Sequence, residues 1–459
     1  MINELDKHAA SLPAYTELRL HNNYSSSLMM RKGSLIENRQ SQHGGISARC
    51  CRGGAFGFAS VPGGNDNAVR QAIAQATTNV ELFKRTVGHN MGALPSTAPG
   101  TGTYDYRTSK PRFSAGQRVD IVRAIDAYVA KTYPALVNAD VMLSSLAMEK
   151  ALVTSEGART YSYVPRANLF LKFSIQANDG IVDLYDVYGG FGDLEEQFER
   201  IDWIYRAIDD LYEDLRHKAD GAYCEAGTHD VILDTDVAGI LAHEAIGHTC
   251  EADLVLGGSV AGANLGKQVA SEKFNLVDYG QRGPDDNASI AIHVDDEGTP
   301  CRDVTIIENG VLKEFLNNKE TAQELGVEPT GNARAYTFSD EPLVRMRNTA
   351  IVPGPDRLEE MVAAIDKGYY LKRSTNGQAD ATSEFMFGIS LGYEIRNGKL
   401  GRAIRDTTIS GVAFDMLKTI SHVSGDMTWS KGGMCGKKQL IPVGMGGPAI
   451  KCRINVGGR

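Results

Sequence analysis

The sequence predicts an α/β protein of the mixed α+β kind, built as two domains. Three observations carry that expectation. The chain has 459 residues, and at roughly 150 residues per domain that length suits two or three units. Its first half alternates strand-like runs with amphipathic helices, whereas its second half is glycine-dense, with short strands and repeated hairpin signals. With 42% apolar and 23% charged residues, it can bury large cores and lacks the composition of a disordered chain.

Taken in order, Thr16 to Phe58 reads as an antiparallel meander with turns at Lys32-Gly33 and at His43-Gly44-Gly45. A helix is expected over 66–86, then a Gly/Pro/Ser/Thr-rich loop over 90–112. The next helix, 115–131, places Val119, Val122, Ile125 and Val129 on one stripe. Residues 137–190 return to strand. A helix over 194–217 repeats Leu194, Phe198, Ile201, Ile204, Ile208, Leu211 and Leu215, with Asp193 and Glu196 as its capping pair. The polar stretch after it marks a boundary, giving an N-terminal domain of antiparallel strands with helices over 1–220 and a strand-rich C-terminal domain over 221–459. In the latter, Asn309-Gly310 and Asn397-Gly398 each sit between extended runs, the strongest short-range hairpin signal. A helix over 356–367 starts after Pro355 and stops at Gly368. The glycine-rich but apolar C-terminus should be ordered backbone packed closely on something else.

Charge narrows the function classes. The 48 Lys and Arg against 57 Asp and Glu leave a net charge of −9, the wrong sign for a general nucleic-acid binder. Seven cysteines make no disulfide scaffold, and Cys50, Cys51, Cys224 and Cys301 read as structural thiols. Neither a secretory leader nor an apolar run of about eighteen residues is visible, so a cytoplasmic protein without a membrane partner is expected.

The chemistry concentrates in Leu241-Ala-His-Glu-Ala-Ile-Gly-His-Thr-Cys-Glu251. His243, Glu244 and His248 form H-E-x-x-x-H, one residue longer than the familiar zinc-peptidase H-E-x-x-H. On a regular helix five steps of about 100° leave the imidazoles about 140° apart, too far to share a metal. A π-type turn of about 4.4 residues brings them within about 50°. The helix should therefore bulge, with Gly247 easing the distortion and Asp236 capping its start. Two buried histidines satisfied by hydrogen bonds are the plainer alternative, but Glu244 among small and apolar residues is costly unless it has a task. Cys250, Glu251 and Cys435 are each possible third ligands.

HEAIGHTCEADLV, VDDEGTP, IIENGVL, PTGNARAY, NGQADATSEFMF and MCGKKQLIPVGMGGP follow one another through residues 225–459, and in this the chain resembles the TldD/PmbA family, once called modulators of DNA gyrase. The complete motif is similar to that of the family's catalytic, TldD-like kind. The resemblance implies a zinc metallopeptidase with His243, His248 and Cys435 as Zn2+ ligands and Glu244 as general base. It also implies a homodimer, or a heterodimer with a TldE/PmbA-like companion lacking the motif. Where the family has Gly before the Gln of the last block, this chain has Lys438, so a different loop shape is expected there. Cys250, about 200° of helix beyond His248, should point away, whereas Glu251 could orient an imidazole. Lys437 would help keep Cys435 deprotonated. Arg334 either lines a substrate cleft or sits on a surface turn. The leading expectation is a zinc endopeptidase acting on unfolded or flexible polypeptides. A zinc amidase or deacylase for a small substrate, and a non-catalytic regulatory subunit, are the competing readings.

Overall fold

A computed structural model describes residues 1–87 and 94–458. The first half is a seven-stranded sheet in the order Ala55–Pro62, Ser34–Arg52, Thr16–Arg31, Asn138–Thr154, Arg159–Ala177. The last of these is long enough to pair with Thr101–Asp105 in parallel at one end and with Gly180–Phe191 antiparallel along the rest. Alternation along Thr16–Arg31 buries both faces differently. Leu18, Leu20, Leu28 and Met30 point to the apolar side. There Asp66–Val87 covers one end, while Ala115–Thr132 and Asp202–Ala219 cover the other. Glu17, Arg19, His21 and Asn23 are buried on the opposite, polar side. Arg19 and Asn23 donate there to carbonyls of Thr337, Asp340 and Tyr336 in the second half, and Arg49 on the neighbouring strand pairs with Glu297 at 2.6 Å and Glu341 at 2.9 Å.

The second half is organised around a ten-stranded sheet. Gly227–Leu233 pairs with Lys367–Ala379 on one side and with Gly444–Val456 on the other. Glu384–Arg396 and Lys399–Val412 complete the circuit, so five strands close into a ring. Asn348–Ile351, Leu276–Tyr279, Val304–Glu308 and Val311–Leu312 extend the sheet from the other end of Gly444–Val456. Among the described residues no helix is long and apolar enough to cross a membrane.

Both Asn-Gly hairpins form, with Asn309 at φ 48 and Gly310 at φ 77, and Asn397 at φ 48 and Gly398 at φ 71. Positive φ at both turn residues is what a two-residue turn between twisted strands demands. Other expectations fail. His43-Gly44-Gly45 is no turn but runs through Ser34–Arg52. A Cβ on Gly45 would lie 2.5 Å from the Phe338 ring, so this glycine admits a side chain from the other half. The helix expected over 194–217 is broken into Leu194–Phe198 and Asp202–Ala219, and the Asp193 side chain makes no cap bond. The helix expected over 356–367 is shortened to Leu358–Ala363, because strand Lys367–Ala379 claims its end. Of the loop expected over 90–112, residues 90–93 lie outside the described residues, and Thr101–Asp105 is a strand.

Candidate metal centre

Asp234, not Asp236, caps the central helix. It follows strand Gly227–Leu233 directly, and its side chain accepts from the Thr235 N–H at 2.8 Å. The helix Thr235–Leu241 lies against Gly444–Val456 at a glycine crossing, where a Cβ on Gly239 would come within 3.1 Å of Gly446 backbone. Ala242–Gly247 is then a π-helical turn, in which the His248 N–H donates to the His243 carbonyl five residues back. That bulge does what the five-residue spacing requires, bringing the two ring centroids to 5.2 Å. Gly247 contributes differently from expectation. Its backbone is ordinary right-handed helix, at φ −56 and ψ −48, but a Cβ there would sit 2.1 Å from the Met346 sulfur. Its role is to let Met346 pack under the turn.

The Met-Cys-Gly-Lys block is not a loop. Met434–Lys437 pairs with Gln439–Pro442 in a two-stranded hairpin, with Cys435 opposite Ile441. Lys438 turns it at φ 57, so the position where the family places glycine is a left-handed one. Lysine tolerates this at a cost of about 1–2 kcal/mol. Arg345, wholly buried, holds the hairpin by its carbonyls, donating to Cys435 at 2.9 Å and Gln439 at 2.8 Å.

The structure brings His243, His248 and Cys435 together, with their donor atoms all within 4.8 Å of one another. The Cys435 sulfur is 3.3 Å from His248 Nε2, close to the roughly 3.5 Å separation that ordinary zinc–sulfur and zinc–nitrogen bond lengths set across a tetrahedron. His243 is fully buried, and neither ring nitrogen has a hydrogen-bond partner. An orphaned buried imidazole is expensive in a folded protein unless something occupies its lone pair. Two imidazoles and a thiol are also a donor set that suits zinc. The residues present thus fit the metal that the resemblance implies. Glu244 Oε2 lies 3.4 Å from His248 Nε2, and its side chain is 25% exposed against 16% for His248.

Electrostatics agree with the geometry. Burial opposes ionisation of Cys435, but the neighbouring His243 and His248 rings bring its thiol down to about 5. Burial also opposes the charged form of Glu251, yet His248 and Lys437 draw its carboxyl down to about 2. Glu251 accepts from His248 Nδ1 at 2.7 Å, which leaves Nε2 to face the cluster. Lys437 does not serve Cys435 as expected; its ammonium lies 3.1 Å from Glu251 and 3.0 Å from Asp253. Cys250 is buried in the core, its thiol pushed up to about 12 by desolvation, and is outside the cluster. Arg334 is on no surface turn. It is buried and donates to the carbonyls of Met346 and Pro442, the latter at 2.7 Å. Sequence reasoning missed Arg345, Met346 and Asp253. A signal was available in Leu343-Val-Arg-Met-Arg-Asn348, where arginines alternate with apolar residues in a short strand-like run.

Comparison with known proteins places this chain among metallopeptidases. Residues 226–458 match the PmbA/TldA metallopeptidase C-terminal domain, and residues 16–80 match domain 1 of the same family. A metalloprotease of Methanothermobacter thermautotrophicus is 31% identical over 448 residues, covering 96% of this chain and 94% of the relative. A zinc metalloprotease TldD homolog of Saccharolobus solfataricus is 38% identical over 257 residues, covering 56% of this chain and 57% of its own length. In structure, the chain is similar to TldE from Thermococcus kodakarensis, with a TM-score of 0.76 at 17% identity over the full length of both. The chain belongs to the PmbA/TldD metallopeptidase family.

Proposed function

We propose that this chain is a zinc-dependent endopeptidase that hydrolyses peptide bonds in unfolded or flexible polypeptides. One observation carries the reading: His243, His248 and Cys435 converge with His243 unpartnered, and Glu244 stands beside them at the solvent side. His243, His248 and Cys435 would hold the metal. When bound, zinc supplies Lewis acidity towards a peptide carbonyl and an attacking water. Glu244 is placed to take the proton of that water on its carboxylate and to pass it to the leaving amine. Glu251 keeps the proton of His248 on Nδ1, and Arg345 holds Cys435 in place through its carbonyl.

The preference for unfolded substrates rests on burial. Of the four residues only Glu244 and His248 are exposed at all, at 25% and 16% of their side chains. A compact protein surface cannot deliver a backbone to such a recess, whereas an extended chain can. We take residues 1–220 and 221–459 as the two units, and a second copy or a TldE-like companion as the partner, on the likeness to the Thermococcus kodakarensis TldE structure. The test is to incubate the zinc-loaded protein with a small domain in folded and denatured form and to map products by mass spectrometry. Cleavage of the denatured form alone is expected. Equal rates on both would remove the unfolded-substrate reading, and no cleavage of either would remove the peptidase reading.

A further inference from the structure

Between the two halves, strands Asn138–Thr154 and Arg159–Ala177 face the segment 289–296 across a cavity. Much of its wall is aliphatic, with Leu146, Met148, Leu152 and Val164 on one side and Ile290 and Ile292 on the other. Arg166 and Arg334 line it too. Among the described residues neither arginine forms an ion pair. Arg166 donates to the Gly433 carbonyl at 2.9 Å and to the Asn168 side chain at 3.3 Å. Arg334 donates only to the Met346 and Pro442 carbonyls. These are the backbone groups around Cys435: Gly433 leads into its strand, Pro442 ends the partner strand, and Met346 packs on Gly247. The cavity therefore abuts the outer side of the hairpin that carries Cys435.

The other charges of the cavity are already matched. Asp296 is clamped by Lys150 at 2.6 Å, and Asp295 accepts from the backbone of Thr299 at 2.9 Å and of Ala333 at 3.0 Å. Two guanidiniums in direct contact with no carboxylate remain, and burial draws both down to about 10 although Asp296 and Asp278 act on Arg334 from farther off. A planar guanidinium is the group best shaped to receive a carboxylate. Beside an aliphatic wall, the matching ligand has a carboxylate next to an apolar side chain.

We propose that this cavity is a binding subsite for the free C-terminal end of a peptide, with Arg166 and Arg334 receiving the carboxylate and the aliphatic wall taking the last side chain. The proposal rests on the peptidase reading and narrows it to bonds counted back from the substrate's C-terminal end.

The experiment is calorimetric titration of the chelator-treated full chain, so that binding is read without turnover. The probes are N-acetyl-Ala-Ala-Leu as the free acid, its C-terminal amide, and N-acetyl-Ala-Glu-Ala amide. The free acid should bind on the order of tenfold more tightly than either amide, the gain expected of a charge-assisted pair. Arg166→Gln should abolish that difference. Asn168→Ala, which removes the acceptor of Arg166 Nε and the bond to the Lys431 carbonyl but leaves the charge and its Gly433 bond, should keep it and so separates loss of charge from disturbance of the arginine's surroundings. Equal binding of acid and amide by the parent, retention of the preference by Arg166→Gln, or tight binding of the internal-glutamate probe would each overturn the subsite. A zinc-loaded chain that cleaves free and amidated peptides alike keeps the peptidase reading and loses this one. One that cleaves neither, yet prefers the acid, loses the peptidase reading and keeps the carboxylate site.

Discussion

Two buried polar clusters lie side by side in the second half of the chain, and they are completed in opposite ways. The first is built on Asp278 and Arg347, both wholly buried and 2.8 Å apart. Each of the four groups that meet Asp278 closes a bond. Arg347 donates its backbone N–H and Nε at 2.8 Å each, Asn332 donates at 2.9 Å, and Thr349 donates at 3.0 Å. The second is His243, His248, Cys435 and Glu251, in which neither His243 nitrogen nor Glu251 Oε1 makes a hydrogen bond, the latter having only the Arg345 guanidinium at 4.0 Å. A buried charge pair with every bond made is a structural joint; a buried cluster whose nitrogen and sulfur donors converge on one point has the form of a metal site. The two are connected. Asn332 also donates to the Arg345 carbonyl at 3.0 Å, so the closed cluster fixes the segment from which Arg345 and Met346 hold the open one.

The largest expected effect tests the open cluster directly. Cys435→Ser should abolish stoichiometric zinc, because a hydroxyl is a poor replacement for a thiolate at zinc, while Cys250→Ser should keep it. Zinc content of the two purified variants decides the matter. Full zinc in Cys435→Ser with loss in Cys250→Ser would move the centre onto a single helix.

Next comes Glu244→Gln. Zinc should remain bound, and peptide cleavage should fall about 10²–10⁴-fold, the usual range for loss of a general base. Cleavage by the Gln variant at the parent rate would remove Glu244 from the mechanism.

The closed cluster should answer to stability instead. Asp278→Ala leaves a fully buried guanidinium unpaired and is expected to cost about 3–5 kcal/mol in urea unfolding. A loss below about 1 kcal/mol would mean that this pair is not the joint described above.

Much of the centre was legible in the chain because helix geometry is strict. Five steps apart, His243 and His248 cannot share a metal on a regular helix, so the π turn follows from the spacing once a shared metal is assumed. Asn309-Gly310 and Asn397-Gly398 were equally readable, since their conformations are local. What was not legible depends on contacts between distant segments. Gly45 reads in sequence as part of a turn and Gly247 as the residue that eases a bulge, but they are small because Phe338 and Met346 lie against them. Lys437 looked like the cation for Cys435, but folding places it on Glu251 and Asp253. Nor was the division of the expected long helix into Leu194–Phe198 and Asp202–Ala219 legible. Neither did spacing alone single out Cys435, 187 residues from His248; the resemblance supplied it.

The smallest expected effect lies where the two clusters meet. Glu251 is fully buried, bonded to His248 Nδ1 at 2.7 Å, with Lys437 at 3.1 Å and Arg345 at 4.0 Å. A carboxylate on the far nitrogen of a ligating imidazole fixes its tautomer and raises its basicity, and losing such a partner typically costs 10–100-fold in metal affinity. Glu251→Gln keeps an acceptor for the Nδ1 proton but removes the charge. Zinc affinity, read by competition with a chelator, should therefore fall towards the lower end, about tenfold. Glu251→Ala, which also removes the acceptor, should fall further. If both variants held zinc as tightly as the parent, His248 would be oriented by the π turn alone, and the charged pair of Glu251 and Lys437 would belong with Asp278 and Arg347 as part of the frame.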